Sequence, residues 1–549
     1  MEYGFLKIEK TVADSRIGEG ANNMKHIKRI SSMVLAAALV MTVAAGCSSK
    51  KGGDTTAAAG NSNTAQASGE DNFDADITVV QALDMVSFDP IQSADMSNVY
   101  TLANLYSRLF RYSENLGAEK ELCKEYERVS DTEWHFKIWE NVKYHDGSML
   151  TIDDVVYCLN RAKGSSIMTA LFDPVKEIKK VDDTTLAIIT DGPYPSLPTA
   201  LTNVATSVVP QAYCEQAMAS NDWSKPIGSG RYSFDSRVIG DTVKFTRFDD
   251  YFDPDDKALN KTLTIKIIPE GTARTIAIET GAADFNAEFA TADYARVIDN
   301  QDLKLWEKDS QMVWHLGMDN TAEWFDNKLV RQAVNYAVDR DSCLQVGYEG
   351  LGKTVYNCAT FAPTVMGAVE NPLDMYSYDT EKAKELMKEA GCPGFDTQII
   401  VFRDEAERMA TVVQANLADI GINAEITRIE NAVFPSYIAD HKAPMFITSW
   451  GCYEDPDLFL GRRFTEKGYG GVNRVWYSNP ELDGMIKEGR QFFEEEKRIP
   501  VYQKIQEFMA EEAPEADLFV SKTLALSNNR LKGVELNAER ASNYYKLHY

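Results

Sequence analysis

Residues 134–161, WHFKIWENVKYHDGSMLTIDDVVYCLNR, carry the pattern that decides the fold of this chain. Trp134, Phe136 and Ile138 alternate with polar neighbours, the period of a strand with one buried face. Val142 and Tyr144 begin a second strand, and Asp146-Gly147 is a hairpin-type turn signal, because glycine accepts a positive φ without steric penalty. Thr151 stands three residues before Asp154, a variant of the capping box, and Val155, Val156 and Leu159 follow at helical spacing. The stretch predicts strand, turn and capped helix in immediate succession.

The 549-residue chain can bury a large core, and its length suggests about two to four domains. Its composition, 44% apolar and 26% charged, is that of a globular protein. A formal charge of −26 leaves no basic stripe to neutralise phosphates, which excludes nucleic acid as a partner. The acidity reads first as solubility; drawing in a cationic ligand would need acids inside a pocket. None of the eight cysteines forms a C-x-x-C pair, so zinc-ribbon and thioredoxin-like chemistry find no support. If Cys47 carries lipid, the remaining number is odd, and most cysteines are expected as small buried residues.

The run V-K-Y-H-D-G-S-M-L-T-I-D-D-V-V-Y, preceded by W-x-F, resembles the signature of the family 5 extracellular solute-binding proteins of peptide, nickel and oligosaccharide ABC importers, whose usual form is close to FHDG-x-x-(ST)-A-E-D-V. Further matches follow in family order: P-I-G-S-G-R-Y at 226–232, RTIAIETGAADF at 274–285, FDNKLVRQAVNYAVDR at 325–340, TEKAKELMKEAGCPGFD at 380–396, FITSWGCYEDPDLFL at 446–460 and Y-S-N-P-E-L at 477–482. The resemblance implies an α/β fold of the two-lobed periplasmic-binding-protein type (type II, cluster C). It also implies an extra subdomain in lobe I and a ligand cleft between lobes that the chain joins twice. We expect lobe I over residues 73–310, lobe II over 311–518 and a return to lobe I over 519–549.

Lys25, Lys28 and Arg29 precede an apolar run from Met33 to Gly46, too short for a spanning helix of about 20 residues. They read as a secretory signal over residues 24–46. A-A-G-C at 44–47 resembles a bacterial lipobox, which makes Cys47 the expected lipidation site and stable anchoring by several acyl chains its consequence. Residues 1–23 lie where a signal has none; they read as an untranslated leader, with Met24 as the start. Residues 47–72, rich in Gly, Ser, Ala, Thr and Asn, form the acylated end and a tether spanning roughly 25–30 Å as a random coil.

ITVVQALD (77–84) reads as a strand, and 87–114 as a loop followed by a helix whose apolar face is Leu102, Leu105, Leu109 and Phe110. In 325–340, Val330, Ala333, Val334, Ala337 and Val338 form one helical stripe, with Arg331 and Asp339 as structural charges. For the helix in 380–396, Thr380 is the expected N-cap and Gly391 the C′ residue. TQIIVF, a helix near 405–419 and NAEITRI form a strand–helix–strand unit. G-Y-E-G-L-G-K-T at 347–354 fits the phosphate-loop pattern letter by letter. A helix precedes it, however, and Pro363 stops a long helix after it, the reverse of the strand–loop–helix that binds phosphate.

In peptide-binding members an Asp between the Trp and the Asp-Pro pairs with the α-ammonium of the ligand. Counted back from Asp455-Pro456 that position is Cys452; counted forward from Trp450 it is Tyr453. Neither is an acid, and Glu454 is the substitute cation partner. The candidate ligand residues are Met96, Ser97 and Asn98 after the first strand, Arg403 after TQIIVF as a fork for a carboxylate, and Trp450, Tyr453, Glu454 and Asp455. Trp450 and Tyr453 offer stacking faces for a sugar or an apolar side chain.

His135, His145, His315, His441 and His548 lack ligand spacing, so no metal, cofactor or catalytic residue is expected. The resulting reading is a membrane-anchored receptor on the extracytoplasmic face, monomeric, more in keeping with a Gram-positive surface than a periplasm. It takes a peptide or peptide-like solute to an ABC permease and its ATPase subunits. Oligosaccharide binding is the alternative, followed by an exported sensor lipoprotein or a glycosidase-like enzyme.

Overall fold

The computed structural model describes residues 71–549 except 93–95, 166, 170, 357–360, 370–374 and 538–542. The expected leader, the signal, Cys47 and nearly all of the tether lie outside the described residues.

The principal sheet has eleven strands. From one edge it runs Ile422–Arg428, Phe395–Val401, Met445–Gly451, Leu303–Met318, Glu515–Asn528, Phe285–Asn286, Asp76–Gln81, Thr262–Ile267, Thr242–Arg247 and Tyr232–Val238, with Gly352–Thr354 attached to Glu515–Asn528. Leu303–Met318 and Glu515–Asn528 are the long members, 16 and 14 residues, and pair antiparallel almost end to end. On one side of their midpoint the sheet packs into cores containing Ile77, Val79, Leu263 and Phe285, or Val80, Ile278 and Leu526. On the other side it packs into cores containing Leu316, Ile399 and Ile447, or Ile400, Phe446 and Tyr502. These are two lobes sharing one sheet, and Gly69–Tyr549 is a single compact unit by its contacts.

Neighbouring side chains on a strand point to opposite faces. Ile399 and Val401 therefore enter one core of the second lobe while Ile400 enters the other. Burial on both faces is why T-Q-I-I-V-F reads as an apolar run instead of an alternating one. The helix Asp404–Ala418 makes the crossover between the parallel strands Phe395–Val401 and Ile422–Arg428, the expected strand–helix–strand unit.

The 134–161 stretch belongs to the extra subdomain of the first lobe. Its strand, Glu133–Ile138, lies inside an antiparallel sheet of order Cys123–Ser130, Glu133–Ile138, Thr185–Thr190, Val175–Lys180, and buries Trp134, Phe136 and Ile138 as the alternation predicts. Helix Ile152–Lys163 carries the complete capping box: Thr151 Oγ1 accepts from Asp154 N–H at 3.2 Å, and Asp154 Oδ2 accepts from Thr151 N–H at 3.0 Å. Such a cap contributes about 1 kcal/mol.

Residues 142–150 depart from expectation. They close as a tight hairpin around Gly147 at φ +86° with one isolated bridge, Lys143 to Met149, instead of a second strand. The reason is that His145 is bound to the 226–232 turn. His145 N–H donates to the Gly228 carbonyl at 2.8 Å, Gly228 N–H donates to His145 Nδ1 at 3.3 Å, and His145 Nε2 lies 3.0 Å from the Gly230 carbonyl. The same turn presses on the C-terminal end of helix Met96–Leu105, where a Cβ on Gly228 would sit 2.3 Å from the Leu105 carbonyl oxygen. That carbonyl accepts from Gly230 N–H at 3.0 Å, so the helix stops there, and Phe110 starts the strand Phe110–Tyr112 instead of extending the helix.

The cap of helix Thr380–Glu389 is Asp379, which accepts from Lys382 N–H at 2.9 Å, and not Thr380. Gly391 follows at φ +66°, as a C′ residue requires. The stripe of helix Lys328–Ala337 is buried throughout, and Arg331 caps carbonyls of Phe325, Glu512 and Ala513. In the phosphate-loop look-alike, Gly352–Thr354 pairs as a strand with Glu515–Asn528, so its amides serve a sheet ladder. All six described free cysteines are buried.

The His145 contacts fit only the neutral imidazole, with Nδ1 accepting and Nε2 donating, and burial pushes its pKa down to about 4 from 6.5. Between those values the unfolded chain takes up a proton that the native chain refuses, so this group's contribution falls as pH drops. The stability advantage of the wild type over His145→Gln, measured by urea unfolding, should shrink or reverse by up to about 3 kcal/mol between pH 7 and pH 4. An advantage of equal size at both pH values would contradict the neutral assignment.

Candidate ligand site between the lobes

The chain passes between the lobes at two places that lie side by side. On Leu303–Met318 the pairing with Glu515–Asn528 shifts register between Asp309 and Val313, so that residues 310–312 bulge opposite Ser521. Ser310 Oγ donates to the Ser521 carbonyl at 2.6 Å, and Gln311 Nε2 donates to the Asn115 carbonyl at 2.9 Å and to Thr364 Oγ1 at 2.6 Å. Ser310, Gln311, Ser521 and Thr523 are buried polar residues at this crossing.

A cavity of about 70 Å³ adjoins it, lined by Glu288 and Phe289 of the first lobe, Tyr348, Arg403 and Ser449 of the second, and Ser521 to Leu524 of the crossing strand. A larger open groove, about 1160 Å³, lies wholly on the first lobe between residues 86–92, the His145 turn and the strand Tyr232–Val238. Of these two, the small cavity has walls from both lobes. Arg403 is the one nominated ligand residue that lines either space.

The other nominated residues have defined places. Met96, Ser97 and Asn98 open helix Met96–Leu105; Asn98 is fully buried, accepts from Val86 N–H and donates to the Ser87 carbonyl at 2.9 Å, so its amide pins the preceding loop. Asp455 is also internal, because its two oxygens accept from Arg498 at 2.7 and 2.8 Å, and Asp457 is matched to Arg490 in the same way. Cys452 is buried, and burial pushes its thiol up to about 12.

Tyr453 and Glu454 reach across to the first lobe. The Tyr453 ring lies 6.3 Å from that of Tyr112, and a Cβ on Gly117 would strike the Glu454 carboxylate at 1.7 Å. Glu454 is exposed, yet its pKa is raised, by desolvation first and then by Glu495 and Asp455.

Trp450 ends the strand Met445–Gly451, and its ring is surrounded by guanidinium groups. The Arg462, Arg463 and Arg474 carbons lie 5.8, 5.3 and 5.8 Å from the ring centre. Arg463 is matched to the buried Glu515, with both carboxylate oxygens at 2.7 Å. Sequence reasoning missed Arg462 and Arg474. The signal available was cationic residues, the R-R pair and N-R, in an otherwise apolar and glycine-rich segment. Nothing in their spacing reveals that helix Asp457–Arg463 and the following loop fold back onto Trp450.

Among the described residues no helix is long and apolar enough to cross a membrane, and no cluster of His, Cys, Asp and Glu could hold a metal ion.

The chain was compared with known proteins. It is 25% identical over 474 residues to the glutathione-binding protein GsiB of Shigella dysenteriae serotype 1, covering 83% of this chain and 91% of that one. It is likewise 25% identical to heme-binding protein A of Haemophilus influenzae, covering 86% and 92%. Among solved structures, the periplasmic binding protein DppA of Helicobacter pylori in complex with the peptide STSA superposes with a TM-score of 0.80 at 22% identity, covering 87% of this chain and 98% of that one. The oligopeptide-binding protein AppA of Bacillus subtilis in complex with a nonapeptide gives 0.77 at 23% identity, covering 87% and 99%. At these identities the superpositions establish the two-lobed fold. The sequence pattern described as bacterial extracellular solute-binding proteins, family 5 middle, matches residues 118–471. With that span, the ordered motifs and the shared architecture, the chain belongs to the family 5 bacterial extracellular solute-binding proteins.

Proposed function

We propose that this chain is a lipid-anchored receptor that captures a peptide or peptide-like solute between its lobes and hands it to an ABC permease. Its relatives are solute-binding proteins of ABC importers and not enzymes, and the family works outside the cytoplasm. The observation that carries the peptide reading is the paired character of the interlobe surface. Glu454, an acid whose charge is disfavoured by its surroundings, faces the first lobe, and Arg403 lines the interlobe cavity. An α-ammonium at the first and a carboxylate at the second would match the two ends of a short peptide. The aromatic faces favour a sugar less, because guanidinium groups already flank Trp450 and Tyr112 lies close to Tyr453.

A cavity of about 70 Å³ takes water and no peptide, since ligand pockets run to roughly 300–1,000 Å³. Admission of a solute therefore requires the lobes, residues 73–310 with 519–549 and residues 311–518, to part about the crossing at 310–312 and 521–523. The buried polar residues there suit a hinge: their hydrogen bonds exchange partners at little net cost, where interdigitated aliphatics would resist. Cys47 and the tether would hold the receptor at the membrane, as a monomer.

Native mass spectrometry of the mature chain, followed by denaturation, should release peptides; release of oligosaccharide alone would displace the peptide reading. Glu454→Gln is expected to weaken peptide binding in calorimetry by roughly 10- to 100-fold, the loss of one charge-assisted hydrogen bond. Unchanged affinity would remove Glu454 from the site. In cell fractionation, Cys47→Ala should move the protein from the membrane to the soluble fraction, and a variant that stays with the membrane would argue against the lipid anchor.

A further inference from the structure

A cluster of cations sits at the edge of the second lobe without the acids that would ordinarily balance it. The chain has 83 acidic residues against 57 basic ones, yet among the described residues the only carboxylate bound to the arginines around Trp450 is Glu515, and it is engaged by Arg463. Arg462 has one polar contact, a long 3.4 Å approach to the Tyr453 hydroxyl. Arg474 is partly buried and makes no hydrogen bond or ion pair among the described residues; its guanidinium lies only against the rings of Phe434, at 5.4 Å, and Trp450. Trp450 Nε1 is itself buried with no acceptor.

Trp450 Nε1 is the buried donor without an acceptor at this spot, while Arg474 has no polar partner among the described residues and Arg462 has only the long contact to the Tyr453 hydroxyl. A buried donor left unpaired costs stability. Stacking on two aromatic rings returns part of that cost and does nothing for the repulsion between guanidinium groups. Burial first, and then the neighbouring Arg463, Arg403 and Arg462, lower the Arg474 pKa to about 10 from 12.5. Elsewhere in this lobe Arg498 is matched by Asp455 and Arg490 by Asp457, and the buried Arg331 and Arg340 are matched by backbone carbonyls.

We propose that Arg462, Arg474 and the indole N–H of Trp450 receive an oxyanionic group of the solute, so that the receptor selects acidic solutes carrying a carboxylate besides any held at Arg403. This rests on the reading of the chain as a peptide receptor and narrows it: the favoured peptides bear an acidic side chain. An arginine pair next to an indole N–H offers planar, multidentate donors to such a group, which a lysine could not reproduce. The net negative charge of the protein makes the local positive potential a specificity device, since it repels acidic solutes everywhere else.

The test uses the mature chain, its Arg474→Gln, Arg462→Gln and Arg474→Lys variants, and four probes: Ala-Ala-Ala, Ala-Glu-Ala, Ala-Lys-Ala and citrate, each titrated by calorimetry and by thermal shift. The wild type should bind Ala-Glu-Ala about tenfold or more tightly than Ala-Ala-Ala, and Ala-Lys-Ala more weakly still. Both Gln variants should lose that preference, and Arg474→Lys should keep part of it. Arg474→Gln should also melt at a higher temperature than the wild type without ligand, because it relieves the repulsion. A merely structural arginine would give the opposite shift.

Equal affinity for Ala-Glu-Ala and Ala-Ala-Ala, unaltered in Arg474→Gln, would overturn the anion site and leave the peptide reading in place. Stabilisation by citrate but by no peptide, abolished in Arg474→Gln, would uphold the anion site and remove the peptide reading. A chain that responds to none of the four probes, or an Arg474→Gln variant that melts lower with its preference intact, would overturn the proposal.

Discussion

The antiparallel pairing of Leu303–Met318 with Glu515–Asn528 is the constraint on which the remaining architecture depends. Each strand is long enough to take part in both lobes, so the lobes are two halves of one sheet and not two bodies on a linker. A continuous ladder would make that arrangement rigid. The bulge at 310–312 interrupts it, and buried hydroxyl and amide groups lie where the interruption falls. Apolar cores cover the sheet within each lobe, and the proposed opening of the lobes would take place at this interrupted line.

A second constraint organises the first lobe. The His145 turn, the Gly228–Gly230 turn and the end of helix Met96–Leu105 meet at contacts that admit no Cβ and only one protonation state of the imidazole. This explains why H-D-G and G-S-G stand in the sequence as separate short motifs far apart: each is half of one junction. Neither motif needs a ligand to account for it. The large groove beside this junction lies on one lobe only, and its position gives it no wall from the other.

Buried arginines of the second lobe are matched in two ways. Arg331 and Arg340 bind backbone carbonyls, whereas Arg498, Arg490 and Arg463 each have a buried acid, two of them supplied by the D-P-D sequence that resembles a ligand motif. Removing either member of such an ion pair would strand a charge in the interior at about 3–5 kcal/mol. Beside Trp450, Arg474 has neither kind of partner among the described residues, and Arg462 has only a long contact to the Tyr453 hydroxyl. Departures from local consistency of this kind are where a folded protein stores its capacity to bind.

The sequence by itself determined most of the local elements, and its resemblance to the family carried the lobed α/β architecture. Period, caps and turn residues act over a few neighbours and are written in order: the capping box at Thr151, the Gly391 terminus and the stripe of Lys328–Ala337 all formed as their local chemistry requires. Local reading went astray where a distant segment intervened, as when the 226–232 turn converted a predicted strand at Val142 into a hairpin and ended a helix at Leu105. For the same reason only the tertiary structure decided which polar residues are free to meet a ligand. Asn98 and Asp455 look available in sequence and are engaged by Ser87 and Arg498, whereas Arg462 and Arg474 look like surface charges and converge on Trp450. Whether a polar group is satisfied depends on partners brought from elsewhere in the chain, and that is set by the packing of lobes and not by spacing.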